Sequence, residues 1–428
     1  MTDRLKEVHG AMQTLFNPVV PQSLRLPTVI MGTPCIRDEV KIQPQQQSYQ
    51  RSKNQYITIR IPNTDLWDLR RSYLTFDLTV TSVGGSYVRL AQGAWSLINR
   101  ARLLFQRNEV EDVFQYGRRE SFFYEFIHNY NIKATHQKLM GLGSAAQREA
   151  NAATSTSYMI PLNLASLHAS VWPCMALENY MEIELYLQDV NECFESDASS
   201  IDYTITNIDL HAERLTITNS LERKYKEMIR AGRFIFKIET TRHYLNNLTT
   251  REGDLKIPHS TDSVKWIASW FVKESEQNDP TVDDKYFNWY KEGQINYQAR
   301  VNQRRYPEHE VDTSDIDSIE AYMWYSKWSE LNAWSGDGHG NKFIPVGVQH
   351  FTADNRYVWI NDFTSHPGSG AINPFGTGKS NVDIILNTKH VGIPSEPLQV
   401  HHYVCYTAVL KIVPPTGNHM YGVVKRLE

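Results

Sequence analysis

The most constraining feature of this chain is a period-two alternation of apolar and polar residues that recurs along most of its length. In residues 72–80, Leu74, Phe76, Leu78 and Val80 alternate with polar side chains, so they share one face of a half-buried strand. This pattern predicts a mainly β protein. Similar strand-like runs lie at 56–61, 109–114, 158–162, 181–187, 203–216, 234–238, 266–272, 357–363, 382–386 and 402–413.

Residues 219–232 interrupt the alternation. Leu221, Tyr225 and Ile229 repeat at helical spacing, and Gly232 stands where a helix commonly ends. Strand patterning restarts directly afterwards, at Phe234. We therefore predict that this helix connects two domains.

The length of the chain agrees with two domains. It has 428 residues, whereas single hydrophobic cores stop growing at roughly 250–300 residues. We predict a first β-sandwich over 48–221 and a second over 222–428. Residues 118–130 are the best helix candidate of the first half, 141–157 are expected to form a loop, and 273–345 are expected to form long inserted loops with some secondary structure.

The first 47 residues differ from the rest. Leu5, Val8, Met12 and Leu15 share one helical face, and a proline-spaced segment follows, which favours an extended arm. Three partners for this arm remain open: its own domain, a neighbouring subunit, or an internal membrane.

Composition narrows the functional classes. Aromatic residues reach 11%, with 23 Tyr and 10 Trp, and the formal net charge is −4. A protein that coats nucleic acid should carry a basic patch or arm, but the first fifty residues hold five Lys/Arg against four Asp/Glu. We expect no direct or sequence-specific nucleic-acid binding. No signal-peptide pattern and no apolar run of about 18 residues is found, so we expect synthesis in a cytoplasm or nucleus without secretion.

The sequence contains no complete catalytic, phosphate-binding or metal-binding motif, and we expect no enzyme activity, cofactor or metal. The four cysteines form no CxxC pair. The run 376–380, Gly-Thr-Gly-Lys-Ser, lacks the first glycine of a phosphate-binding loop, because position 373 is Asn. His401 and His402 are adjacent on a predicted strand and so point to opposite faces.

The order of segments resembles that of the double jelly-roll major capsid proteins of the adenovirus, virophage, Polinton and giant-virus lineage. Four stretches of sequence carry this resemblance. Three of them lie in the first half: 97–106 followed by 109–117, then 159–164 with 172–177 and 182–185, then 208–215. The fourth joins the aromatic strand 357–363 to a loop that resembles the giant-virus Pro-Ser-Gly signature. In that loop Gly368 intrudes, and the residues that match are Pro367, Ser369, Gly370 and Asn373.

The resemblance implies two tandem jelly-roll β-sandwiches with long loop insertions and a few short helices. It further implies a virion shell subunit that forms pseudo-hexagonal homotrimers, which tile an icosahedral capsid together with penton or minor capsid proteins. Two alternatives remain open: a minor or spike protein of a virion, and a carbohydrate-binding jelly-roll module. The second rests on the tryptophan-rich stretch, since exposed aromatics stack on sugars: Trp289, Trp324, Trp328 and Trp334.

Overall fold

The structure is a computed structural model, and part of the chain is described. The described residues are 35–127, 138–259, 264–301, 304–332, 346–353, 355–363, 382–413 and 423–427. Three sets of residues discussed from the sequence lie outside these ranges: Leu5, Val8, Met12 and Leu15 of the arm, Pro367, Ser369, Gly370 and Asn373 of the second-half loop, and the run 376–380.

Before the connector helix, the described chain forms eleven strands. They are β1 (Ile36–Ile42), β2 (Ser48–Gln50), β3 (Tyr56–Ile61), β4 (Leu66–Val83), β5 (Val88–Leu90), β6 (Ile98–Phe105), β7 (Asn108–Phe114), β8 (Thr156–Pro161), β9 (Met181–Leu187), β10 (Phe194–Ser196) and β11 (Ser200–Thr216).

After the connector helix, nine more strands follow among the described residues. They are β12 (Phe234–Leu248), β13 (Glu252–His259), β14 (Val264–Lys273), β15 (Gln294–Val301), β16 (Arg304–Asp312), β17 (Trp359–Asp362), β18 (Val382–His390), β19 (Leu398–Val413) and β20 (Val423–Leu427).

Short helices connect these strands. In the described residues they are α1 (Tyr116–Phe126), α2 (Ala145–Ala152), α3 (Ala165–Ala169), α4 (Val190–Cys193), α5 (Asn219–Arg230), α6 (Glu274–Gln277), α7 (Ile319–Asn332) and α8 (Val348–Ala353), with single 3-10 turns at Ala94–Leu97 and Cys174–Ala176.

The two halves share one strand order. In the first half the main sheets are β1-β11-β4-β8 and β3-β9-β6-β7, and in the second they are β12-β19-β14-β17 and β13-β18-β15-β16. When only the eight strands of these two sheets are counted along the chain, leaving out β2, β5, β10 and β20, strands one, eight, three and six of each half form one sheet, and strands two, seven, four and five form the other. Two four-stranded antiparallel sheets of this kind form a jelly roll. The fold class expected from the sequence, two tandem jelly rolls, is therefore observed.

The alternation seen in the sequence reflects the burial of alternate residues. Along β9, Met181, Ile183, Leu185 and Leu187 are buried and the residues between them are partly exposed. The inner faces of the two sheets of each half pack their apolar side chains together.

The connector helix ends as the sequence indicates. Gly232 has φ +63°, its N–H donates to the Ile229 carbonyl (2.8 Å), and the next N–H donates to the Met228 carbonyl (3.0 Å). This left-handed termination turns the chain from α5 into β12.

Two loop expectations were wrong. Residues 273–345 contain β15, β16 and α7, so much of this stretch belongs to the second jelly roll itself. Its strand β15 shows no clean period because Tyr297, Gln298 and Ala299 are all buried. Residues 141–157 contain α2, which begins with a capping box between Ser144 and Gln147.

The junction between the two jelly rolls as the candidate functional site

Helix α1 of the first jelly roll inserts two rings into the core of the second. Phe122 lies 5.3 Å from the ring of Trp270 and 5.5 Å from that of Trp328, and Phe126 lies 5.1 Å from that of Trp289. Both phenylalanines are fully buried. We call the contact surface between residues before and after α5 the junction.

In the opposite direction, β12 of the second jelly roll packs two rings into the core of the first. Phe236 lies 5.1 Å from Trp172, and Phe234 lies 5.9 Å from Tyr225 of the connector helix, measured between ring centroids. The start of β12 thus belongs to the hydrophobic core of the first half. Each core is completed by residues from the other half, which favours a single rigid unit.

Glu111 of β7 is a buried polar anchor in this junction. Its carboxylate accepts hydrogen bonds from the N–H groups of Ala165 (2.9 Å) and Ser166 (2.7 Å), from the Ser166 hydroxyl, and from the Thr240 hydroxyl of β12 (2.7 Å). It therefore caps α3 and also ties the first jelly roll to the second. A fully buried carboxylate needs such a set of donors.

A second anchor is the ion pair of Arg119 and Glu120, neighbours on α1. Arg119 donates to Glu120 (2.7 Å), to the Asn163 carbonyl (2.5 Å) and to the Thr241 hydroxyl of β12 (3.3 Å). Both side chains are almost completely buried. Burial raises the pKa of Glu120, and the Arg119 guanidinium opposes that rise.

Basic and acidic groups also connect the loop after α6 to the first half. Lys285 donates to the carbonyls of Asn191, Phe194 (2.8 Å) and Asp279, and burial lowers its pKa to about 8. Glu195 accepts from Arg89 (2.7 Å) and from the N–H of Asp284 (2.7 Å). The bonds from Lys285 to Asn191 and Phe194, and from the N–H of Asp284 to Glu195, cross the junction, because Lys285 and Asp284 belong to the second half.

Three histidines of the second half, His243, His401 and His402, are buried or partly buried, and His243 contacts the first half through the Phe114 ring at 5.9 Å. His243 and His401 are 3.0 Å apart between ring nitrogens, and the His402 ring lies 2.7 Å from the Ser269 hydroxyl. Burial lowers the pKa of His243 and of His402 to about 3. The Ser269–His402 pair is fully buried, so a substrate cannot reach it, and the two histidines at 401 and 402 have different partners, as their positions on a strand imply.

The described residues contain no group of three or more His, Cys, Asp or Glu side chains that could hold a metal. None of the described helices combines the length and the apolar character needed to cross a membrane. Of the four tryptophans behind the carbohydrate-binding alternative, Trp289 and Trp328 are fully buried and Trp324 is partly buried, while Trp334 lies outside the described residues. The three described side chains therefore do not form an exposed platform for sugars.

One exposed apolar patch stands out on the second half. Ile316 is 86% exposed, Ile319 and Met323 lie one turn apart on α7 with about half of their surface exposed, and Val348 of α8 is also exposed. The Thr352 hydroxyl of α8 donates to the Ile316 carbonyl (3.1 Å), which holds the two segments together. Exposed apolar patches mark sites of protein association. We call these four apolar residues the α7 patch.

Sequence reasoning did not identify the junction residues or the α7 patch. Glu111 and Arg119 were recognisable only as polar residues close to predicted strands and helices. Their partners Thr240 and Thr241 lie more than 120 residues away in the chain.

No family model and no curated protein matches the sequence, but solved structures share its fold. The Faustovirus major capsid protein is 10% identical with a TM-score of 0.60, covering 89% of this chain and 91% of that chain. PBCV-1 VP54, fitted into a reconstruction of the virophage Sputnik, is 10% identical with a TM-score of 0.59, covering 92% and 98%. A chain of the Sputnik virophage structure is 10% identical with a TM-score of 0.56, covering 95% and 92%. These matches confirm the double jelly-roll fold.

Proposed function

We propose that this chain is a viral major capsid protein, a structural and non-enzymatic shell subunit that forms homotrimers. The observation that carries the proposal is the duplication of one jelly-roll topology within a single chain. Three copies around an axis present six similar blocks, and such a tile is nearly hexagonal. Tiles of this shape pack on a flat lattice, as the facets of an icosahedral virion require.

The junction supports this proposal because a tile needs a fixed angle between its two blocks. Interfaces between independent domains usually permit relative motion. Here the core of each half contains aromatic side chains of the other, and buried hydrogen bonds from Glu111 and Arg119 cross between them. We propose the domain boundary at α5, so that the first jelly roll runs from β1 to β11, beginning ahead of residue 48 that the sequence suggested, and the second runs from β12 to β20.

We assign the α7 patch to contacts between copies of this chain. Its side chains are apolar and exposed in the isolated protomer, whereas the centres of protein interfaces are depleted in charge and rich in apolar residues. We further propose that the 273–345 region lies at the outer surface or at trimer contacts. Burial of the patch in a trimer would remove its surface from water.

We further propose that the part of the 1–47 arm that precedes β1 links trimers on the inner side of the shell, since residues 36–42 form a strand of the first jelly roll. Its predicted helix is short, and helices under about 12–15 residues are marginal in water without a partner surface. Leu5, Val8, Met12 and Leu15 would supply the contacting face. Deletion of residues 1–20 should leave the trimer folded and equally heat-stable while weakening particle assembly. A deletion that unfolds the protomer would show that the arm belongs to the first core.

The mass of the native assembly tests the central proposal. We expect three chains per particle in solution and a six-lobed, nearly hexagonal outline by electron microscopy. Ile316→Asp should shift the assembly to monomers without changing the circular dichroism spectrum, because the charge cannot be buried in an apolar contact. Val83→Asp, at a residue of the first half that is 67% exposed, is the control. A monomeric wild-type chain would refute the shell assignment, and a low copy number in virions would favour a minor or spike protein.

A further inference from the structure

The first turn of helix α1 is buried and lacks a cap. Gln115 occupies the N-cap position with φ +52°, its side chain makes no capping bond, and the first turn holds no acidic residue. In the described residues, no hydrogen bond is made by the N–H groups of Tyr116, Gly117 or Arg118. A buried helix end normally satisfies these groups with a side chain, water or a ligand.

Arg118 adds an unpaired charge to this helix end. It is the third residue of α1 and only 1% exposed, and none of its guanidinium nitrogens has a hydrogen-bond partner. Helical side chains lean toward the N-terminus of their helix, and the guanidinium lies 4.9 Å from the ring centroid of Tyr286. A cation at a helix N-terminus is unfavourable, and a buried cation without a partner is more so.

The surroundings do not neutralise this charge. Arg118 and Lys285 interact electrostatically with one partly buried carboxylate, Glu192, whose Oε2 already accepts from Gln188 (2.6 Å). Glu195 is a further carboxylate near Lys285, but the Arg118 guanidinium makes no hydrogen bond to either carboxylate.

Further unsatisfied polar atoms lie in the same part of the junction. The Gln115 carbonyl accepts from the Tyr403 hydroxyl (2.9 Å), and the Tyr403 ring stacks on Trp270 at 5.2 Å, which in turn lies 6.2 Å from His401. The indole N–H of Trp270 and the Nε2 atom of His401 have no hydrogen-bond partner. The donors without a partner are thus the Arg118 guanidinium and the Trp270 indole N–H, while the Oε1 atom of Gln115 is an acceptor without one.

We propose that the junction binds a small inorganic anion of the size of chloride, held by the Arg118 guanidinium and the first-turn N–H groups of α1. Anions are favoured at helix N-termini because the N–H groups point at the ligand and the helix dipole is positive there. The anion compensates the buried guanidinium and strengthens the contact of α1 with the second jelly roll. This assignment is independent of the shell role.

Bromide replaces chloride and scatters X-rays anomalously, so it locates the site directly in the unmodified protein. Crystals of the full chain grown in sodium bromide should show an anomalous peak within hydrogen-bond distance of the Arg118 guanidinium and the Gly117 N–H. Density without an anomalous peak at this position would identify water and overturn the proposal.

Thermal unfolding in solution provides an independent test. At constant ionic strength, replacing gluconate with chloride should raise the midpoint temperature of unfolding of the wild type. Each tenfold increase of chloride above its dissociation constant raises the ratio of folded to unfolded chains about tenfold. Arg118→Met should abolish this dependence, whereas Arg100→Met, at an arginine paired with Asp112 on a sheet face, should keep it.

If Arg118→Met does not fold, Arg118→Lys retains the charge and should keep a weakened chloride response. An equal response in the wild type and in the folded Arg118 variants would refute the site. The bromide experiment needs no variant and decides the question where the variants fail.

Discussion

Replacement of Phe122 by alanine tests whether the two jelly rolls form one cooperative unit. The Phe122 ring is fully buried and lies within 6.5 Å of the rings of Trp266, Trp270, Trp289 and Trp328. These tryptophans belong to the second half, whereas Phe122 is part of the first. The side chain thus reports directly on the junction.

These contacts set the loss in free energy of unfolding that we expect. Truncation of a core phenylalanine to alanine lowers the free energy of unfolding by about 3–5 kcal/mol, and aromatic pairs contribute about 0.5–1.5 kcal/mol beyond their buried area. With four tryptophan rings around it, Phe122→Ala should lie at the upper end, at about 4–5 kcal/mol. Phe122→Leu keeps most of the volume and should cost less.

Urea unfolding monitored by tryptophan fluorescence and by far-ultraviolet circular dichroism measures this loss. Because each core contains residues of the other half, both probes should report a single transition that moves as a whole to lower urea. Leu139→Ala, at a side chain of the first half that is 48% exposed, is the control and should change stability by less than about 1 kcal/mol. A loss below about 1.5 kcal/mol for Phe122→Ala, or two transitions of which one alone moves, would refute the reasoning.

Three further predictions concern single groups. Glu111→Ala leaves the Ala165, Ser166 and Thr240 donors without their buried acceptor and should lower the free energy of unfolding by about 3 kcal/mol or more, measured by urea unfolding; a loss under 1 kcal/mol would contradict its role as an anchor. Gly232→Ala places a Cβ on a residue with left-handed backbone at the end of α5. It should lower the free energy of unfolding by about 1 kcal/mol and so lower the melting temperature. An unchanged melting temperature would contradict the strain. The pKa of His402 is about 3 in the folded chain and about 6.5 when unfolded, so the folded state is disfavoured as pH falls below 6.5. At pH 5 this histidine should reduce stability by about 2 kcal/mol relative to pH 8, and His402→Gln should flatten the pH dependence by that amount; an unchanged pH dependence in the variant would show that His402 protonates freely when folded.

Local patterns in the sequence were sufficient to predict which segments form most strands. Alternation placed β9 and the central part of β4 correctly, and helical spacing closed by Gly232 predicted α5. The order of the segments also suggested two jelly rolls in series. These features depend on interactions between residues that are close in the chain, which is why the sequence reveals them.

Burial on both faces of a strand removes the local signal. The strand β15 has consecutive buried residues around Gln298, and α7 carries apolar residues on several faces. The region 273–345 therefore showed no clear period and was predicted to form loops. The tryptophans at 289 and 328 suggested a surface for sugars, yet they fill the core of the second half. An apolar side chain has the same identity in a core as on a surface, and only packing distinguishes the two.

The sequence by itself therefore determined the β class of this protein, its division into two halves and the helix between them. The tertiary structure alone decided which strands pair, that α1 and β12 exchange aromatic side chains between the two cores, and that Arg118 is buried without a partner. The physical reason is that a period of two residues reports which face of a strand is buried but not against which distant segment. The Glu111 carboxylate meets the Thr240 hydroxyl across 129 residues of chain, and no local pattern encodes that contact.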